Sequence, residues 1–201
     1  MDLFNTNSIQ NMLPFDGEVL NYGLILSRNE CNQYLNTFLA ANFWEPDELI
    51  IFGKHIITHR KVAWFGDIDY KYSYSSSIKQ AIPWTSELIT LKKLVEEKTG
   101  EVFNSCLLNL YHNGNEGMGW HQDNEKELGK NPVIASLSLG ATRKFYFKHI
   151  ESQKNVAVIL ETGSMLLMKG ETQDKWLHSL PKSKKVLKPR INLTFRYIHN
   201  V

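Results

Sequence analysis

RINLTFR, residues 190–196, is the stretch on which the fold turns. Polar and apolar letters alternate, and side chains of a β-strand alternate faces, so Arg190, Asn192, Thr194 and Arg196 share one side while Ile191, Leu193 and Phe195 share the other. The apolar side belongs against a core. The polar side sets two arginines around an amide and a hydroxyl, which is costly to bury unless anions pair with it. Runs of the same kind precede it: SCLLNLY, VIASLSLG, RKFYFKH, VAVILE and SMLLMK, separated by glycine, asparagine, proline or charged turns. Such runs make an antiparallel sandwich or barrel. Ahead of them, Ser27 and Glu30 form an S-x-x-E capping box, and Cys31, Tyr34, Leu35, Phe38 and Leu39 follow at helical spacing. A second helix is expected from about Pro83 to Thr99, with Leu88, Leu91, Leu94 and Val95 on one stripe and Gly100 as its stop. Residues before Asn21 look irregular. The expected fold class is α+β, mainly β: a double-stranded β-helix (jelly-roll) core with helices packed on one sheet.

The bulk properties set the frame. A chain of 201 residues, 42% hydrophobic and 22% charged, suits one domain, 1–201, with a sizeable core. No apolar run reaches membrane-spanning length, and the first residues lack the basic start and apolar centre of a signal peptide. We expect an intracellular protein, cytoplasmic if prokaryotic and nuclear if eukaryotic, monomeric and without a membrane partner. Cys31 and Cys106 lie in apolar-patterned segments, as buried thiols in a reducing compartment would. Net charge is only +2, yet basic residues cluster at 54–61 (KHIITHRK), 143–149 (RKFYFKH) and 181–190 (PKSKKVLKPR). Interleaved with aromatics, they suit a polyanion, although a solvated basic surface gives the same pattern.

GWHQDNE, residues 119–125, carries the chemistry. After a glycine-rich turn, His121 and Asp123 are two apart and would point the same way from a strand. His178, in WLHSLP, follows a strand and a polar loop, GETQDK, that could return it to the same mouth. Two histidines and one carboxylate on one face of an octahedron leave three positions open, as in non-haem Fe(II) oxygenases, whereas zinc prefers a closed tetrahedral set with sulfur or a third histidine. The arginine face of residues 190–196 suits a dicarboxylate, because guanidinium forks bind carboxylates bidentately. Asn109 and Tyr111, also two apart, can add hydrogen bonds from a neighbouring strand.

In this order, NLYHNGNEGMGWHQDNE, WLHSLP and PRINLTFR resemble the AlkB family of Fe(II)- and 2-oxoglutarate-dependent dioxygenases, over about Ile51 to Ile198. IFGK at 51–54, AWFGD at 63–67 and the YSYS that follows are similar to the branch acting on duplex DNA. The resemblance implies oxidative removal of methyl groups from 1-methyladenine and 3-methylcytosine in DNA, a direct-reversal repair that uses Fe(II), 2-oxoglutarate and O2. It implies His121, Asp123 and His178 as iron ligands and Arg190 on the distal carboxylate of 2-oxoglutarate. Arg196 would lie at the metal-proximal end of the cosubstrate, with Asn109 and Tyr111 as hydrogen-bond partners and Asn192 and Thr194 on the same face. Tyr72 and Tyr74 would line the base pocket, Glu125 would face the target base, and Phe52 would enter the stack where the flipped base has left it.

By the same resemblance, 1–50 is an N-terminal segment with the first helix, 51–82 recognises the nucleotide and 101–198 is the catalytic core. Nothing before Phe52 is recognisably matched, so any partner-binding extension would be absent or different. The expected partner is methylated DNA, duplex or single-stranded, with RNA as a further candidate. Two rivals stand beside it: a 2-oxoglutarate dioxygenase acting on RNA, protein or a small molecule, and a non-catalytic β-sandwich module binding metal or nucleic acid.

Overall fold

In the computed structural model, residues 9–51, 54–67, 71–74 and 77–199 are described. The first half contains β1 (Glu18–Leu24), α1 (Arg28–Leu39), β2 (Glu45–Ile51), β3 (Lys54–Gly66), β4 (Lys71–Tyr74), β5 (Ser77–Gln80), β6 (Ile82–Pro83) and α2 (Ser86–Thr99). The second half contains β7 (Ser105–Tyr111), β8 (Met118–His121), β9 (Ile134–Gly140), β10 (Arg143–His149), β11 (Asn155–Leu160), β12 (Ser164–Lys169), the one-turn α3 (Thr172–Lys175), β13 (Trp176–Leu180) and β14 (Arg190–Arg196). Their pairing gives a major sheet in the order β1-β12-β9-β14-β7-β3-β2, with β6 beside β3, and a minor sheet in the order β11-β10-β13-β8. β4 and β5 form a separate hairpin. Apart from the short parallel β3·β6 pair, the pairing is antiparallel, and the two main sheets make a jelly-roll core.

The strand read first sits in the middle. β14 pairs with β7 and β9, so Arg190 lies opposite Tyr111 and Asn192 opposite Asn109. Ile191, Leu193 and Phe195 are buried with Phe38 of α1 and Leu88, Leu91 and Val95 of α2. Both helices therefore cover one face of the major sheet, as expected. The other face meets the minor sheet around Trp64, Ile134, Phe147, Leu166 and Trp176. Each such buried aliphatic or aromatic side chain contributes about 1.5–3 kcal/mol. The polar face of β14 opens into the space between the sheets.

The capping box at α1 is present: the Ser27 hydroxyl accepts from Glu30 N and Glu30 accepts from Ser27 N. Cys31 and Cys106 are both buried free thiols. The second helix starts later than its proline suggested. Pro83 closes β6 against Gly66, and Thr85 caps the helix by accepting from Leu88 N, while Gly100 ends it at φ 72°. The segment before Asn21 is not wholly irregular, because β1 joins the edge of the major sheet at β12. β3, thirteen residues long, contains the whole basic run 54–61. The loop GETQDK holds a helical turn, α3. Glycine at 114 and 117 is required by close approach: a Cβ would lie 1.9 Å from Ser183 O at the first and 2.4 Å from Leu180 O at the second. The loop before β8 is thereby clamped to the chain after β13.

Candidate active site

His121 and His178 meet because β8 and β13 pair with these two residues directly opposite. Their ring centroids are 4.1 Å apart. The strand ends at His121, so Asp123 reaches the same place from the loop that follows rather than from strand alternation. Its Oδ1 lies 3.7 Å from His121 Nε2 and 3.8 Å from His178 Nε2, and one ligand atom from each residue fits within a 4.8 Å cluster. Such a set could hold a divalent metal with positions left open.

The surroundings prepare these ligands. The His121 ring has Nδ1 2.9 Å from Gly119 O; donation there leaves the Nε2 lone pair facing the cluster. The His178 ring is set by packing against Phe145 and Phe147. Burial, only partly opposed by Asp123, lowers His178 from 6.5 to about 3, so the ring stays neutral and needs no deprotonation to bind metal. Burial pushes the Asp123 carboxyl up, but Arg196, His178 and His121 outweigh it and hold it below the usual range. Arg196 Nη2 donates to Asp123 Oδ2 at 2.6 Å. Asp123 N donates to Gln173 Oε1 at 2.9 Å.

Across a cavity of about 400 Å³ from these ligands stands the inner face of β14. Arg190 is 2% exposed, and burial lowers its guanidinium to about 10. Its Nη2 donates to Ser138 Oγ and Asn192 Oδ1, while its buried Nε has no partner among the described residues. Asn192 passes the chain on to Thr194, 2.7 Å away. The guanidiniums of Arg60, Arg143 and Arg190 each lie 5.7–5.9 Å from the Tyr111 ring centroid. Asn109 accepts from Arg60 Nη1 at 3.0 Å. This end of the cavity suits an anion: of the two guanidiniums that line it beside Tyr111, Arg60 is answered by Asp47, while Arg190 has no carboxylate among the described ion pairs.

All nine residues read as metal or cosubstrate ligands therefore line one cavity. Glu125 lines it too, with a buried Oε2 that has no partner among the described residues. Tyr72 and Tyr74 fall on β4, but their side chains lie outside what the structure describes, as does the whole of Phe52. Three residues were missed: Asp47 and Arg60, which line the cavity, and Gln173, which holds Asp123 from outside it. Asp47, Arg60 and Gln173 are all buried, and only the alternation of Arg60 with Val62 and Trp64 along β3 signalled one of them. The basic clusters also need correction: Arg60, Arg143, His149 and Arg190 point inward, leaving lysines such as Lys144, Lys182, Lys184 and Lys185 to meet solvent.

A histidine–aspartate–histidine cluster facing an arginine strand across a jelly-roll cavity defines a class, and the chain bears it out over residues 19–196: it belongs to the 2OG-Fe(II) oxygenase superfamily, on its AlkB branch. Among particular proteins it is similar to the human "Alpha-ketoglutarate-dependent dioxygenase alkB homolog 3", 42% identical over 70% of this chain and 52% of that one. It is equally similar to the human "DNA oxidative demethylase ALKBH2", 42% identical over 74% of this chain and 60% of that one. The chain thus spans about half to three-fifths of these relatives. The solved structure of OsALKBH1 shares the fold, with TM-score 0.64 at 18% identity over 92% of this chain and 98% of that one. The superfamily match begins at residue 19, well before the Ile51 at which the motifs begin, so the segment before Phe52 is largely matched. No helix among the described residues is long and apolar enough to cross a membrane.

Proposed function

We propose that this chain is an oxidative demethylase of N-alkylated bases in DNA, with 1-methyladenine and 3-methylcytosine as substrates, using Fe(II), 2-oxoglutarate and O2. The observation that carries the reading is the pairing of two half-sites in one cavity: a ligand trio open to a metal, and a buried arginine whose Nε has no partner among the described residues. The donor set fits iron, and the arginine end fits a dicarboxylate. The similarity to ALKBH2 and alkB homolog 3 supports nucleic acid as the substrate class.

In this reading His121, Asp123 and His178 hold the iron. Arg190 takes the distal carboxylate of 2-oxoglutarate, aided by Tyr111, Asn192 and Thr194. Arg196 already fixes the Asp123 carboxylate, and it keeps a cation beside the metal-proximal end of the cosubstrate. Because Arg60 can only donate, Asn109 must turn its Oδ1 to it and aim its Nδ2 donor elsewhere in the cavity. Bound iron with 2-oxoglutarate and O2 supplies the oxidation of the N-methyl carbon, after which the hydroxymethyl group leaves as formaldehyde and the base is restored. The protein's own work is to bind, orient and exclude water.

The target nucleotide must leave the stack, at a cost of roughly a few kcal/mol that is lower for a lesion unable to pair. Glu125 faces the base and favours its cationic form, with Tyr72 and Tyr74 as the aromatic walls and Phe52 as the wedge that replaces the flipped base. A panel of one lesion in duplex DNA, single-stranded DNA and RNA, read as formaldehyde release, tests this. Release from methylated DNA is expected. Release from RNA alone, or from no nucleic acid, would overturn the DNA assignment.

A further inference from the structure

α3 is a single turn between β12 and β13, yet it buries two polar side chains almost completely, Thr172 at 0% and Gln173 at 1% exposure. Thr172 has a structural reason. Its hydroxyl accepts from Glu18 N and lies within hydrogen-bond distance of Glu18 O and Lys169 O, tying β1 to the end of β12. Gln173 points the other way, toward the loop after β8. Its Oε1 accepts from Asp123 N at 2.9 Å, and its main-chain carbonyl accepts from Gln122 Nε2 at 2.6 Å.

The orientation of this amide is forced. A backbone N–H can only donate, so the oxygen must face Asp123 and the NH2 must face away. There, among the described residues, it finds only the Met168 sulfur, at 3.6 Å, a weak acceptor. A glutamine buried for packing alone would leave its amide poorly satisfied, and an apolar side chain of equal volume would serve better. The well-made bond is the one to Asp123. The carboxylate of Asp123 is held from its other side by Arg196 at 2.6 Å. Main chain and side chain of this residue are therefore pinned by different elements, α3 and β14. Asp123 needs that because it lies beyond the end of β8, where no strand ladder fixes it.

We propose that Gln173 is a positioning residue that sets the loop bearing Asp123, so that its carboxylate meets the two histidines in metal-binding geometry. The inference rests on the metal reading of the trio. α3 then acts as a brace: from Gln173, five residues before His178, it ties the loop of one ligand to the strand of another. Outer partners that orient metal ligands commonly govern affinity by roughly ten- to a hundredfold.

Co(II) binding to the purified chain, without cosubstrate or nucleic acid, tests this through the visible d–d spectrum and calorimetry. Gln173→Met keeps the volume and removes the acceptor; Gln173→Glu keeps an acceptor oxygen. The Met variant is expected to lose about ten- to a hundredfold in Co(II) affinity with an altered spectrum, and the Glu variant to recover most of it. If the Met variant does not fold, Gln173→Asn, which keeps the amide but withdraws it by one methylene, is expected to show the same loss. Wild-type affinity and spectrum in the Met or Asn variant, with only a lowered melting temperature, would overturn the proposal and leave Gln173 a structural residue. Failure of the unaltered chain to bind Co(II) would instead overturn the metal site itself, and this proposal with it.

Discussion

Arg190 concentrates the residue-scale physics. A guanidinium that is 2% exposed, with a buried Nε that meets no partner among the described residues, is one that an anion would complete. Lysine would bring the charge but not the fork. Arg190→Lys should therefore raise the apparent KM for 2-oxoglutarate and weaken its binding by on the order of tenfold to a hundredfold, the equivalent of about 1.5 to 3 kcal/mol, with Co(II) affinity unchanged. Titration calorimetry of both ligands checks it. His178 gives a second expectation, in pH. Its folded-state value is depressed to about 3, so as pH falls below about 6.5 the unfolded chain takes up a proton that the folded one refuses. Stability present above pH 6.5 is lost progressively down to about 3. At pH 5 the loss from this group is about 2 kcal/mol. The lowered Asp123 acts in the same direction at more acid pH. Melting curves of the metal-free protein between pH 7 and 5 should show that fall, and His178→Asn should flatten it.

At the scale of elements, legibility followed burial. β14 and β7 could be read because one face is uniformly apolar and the other polar apart from Leu107, and their register puts Asn109 and Tyr111 opposite Asn192 and Arg190. The α1 cap could be read because its signal is local. β3 could not, because KHIITHRK puts charge on both faces and resembles surface; its inward arginine is balanced by Asp47, which lies on another strand and so leaves no trace in the local pattern. Pro83 misled for a related reason: proline suits the start of a helix, but here it ends a two-residue strand, and Thr85 caps the helix. β2 and β3 pair up to Ile51 opposite Lys54, and Phe52 lies outside the described residues, so its expectation rests on a test. As a wedge, Phe52→Ala should lose much activity on duplex DNA, little on the same lesion in a single strand, and almost nothing in melting temperature. A core phenylalanine would instead cost roughly 3 to 5 kcal/mol of stability and lower activity on both. Equal losses on the two substrates in a folded protein would put Phe52 in the general substrate channel.

For the whole molecule, the two sheets do different work. The minor sheet presents the histidines, the major sheet presents the arginine face, and the two pack together through Trp64, Ile134, Phe147 and Trp176, with Trp64 also lining the cavity. The motifs near His121, His178 and Arg190 marked both halves of the site in the sequence. The supports did not show: Asp47 and Arg60 are single residues far from those motifs along the chain, and Gln173, though only five residues before His178, meets Asp123 only by folding. The central claim is that both half-sites serve one reaction on a methylated base. Mass spectrometry of a 1-methyladenine DNA duplex incubated with Fe(II), 2-oxoglutarate, O2 and either the unaltered chain or Asp123→Ala tests it most directly. The account predicts that the unaltered chain removes the methyl group while producing succinate, and that Asp123→Ala does neither. A methyl group retained while succinate accumulates, or removed by Asp123→Ala as fast as by the unaltered chain, would contradict it.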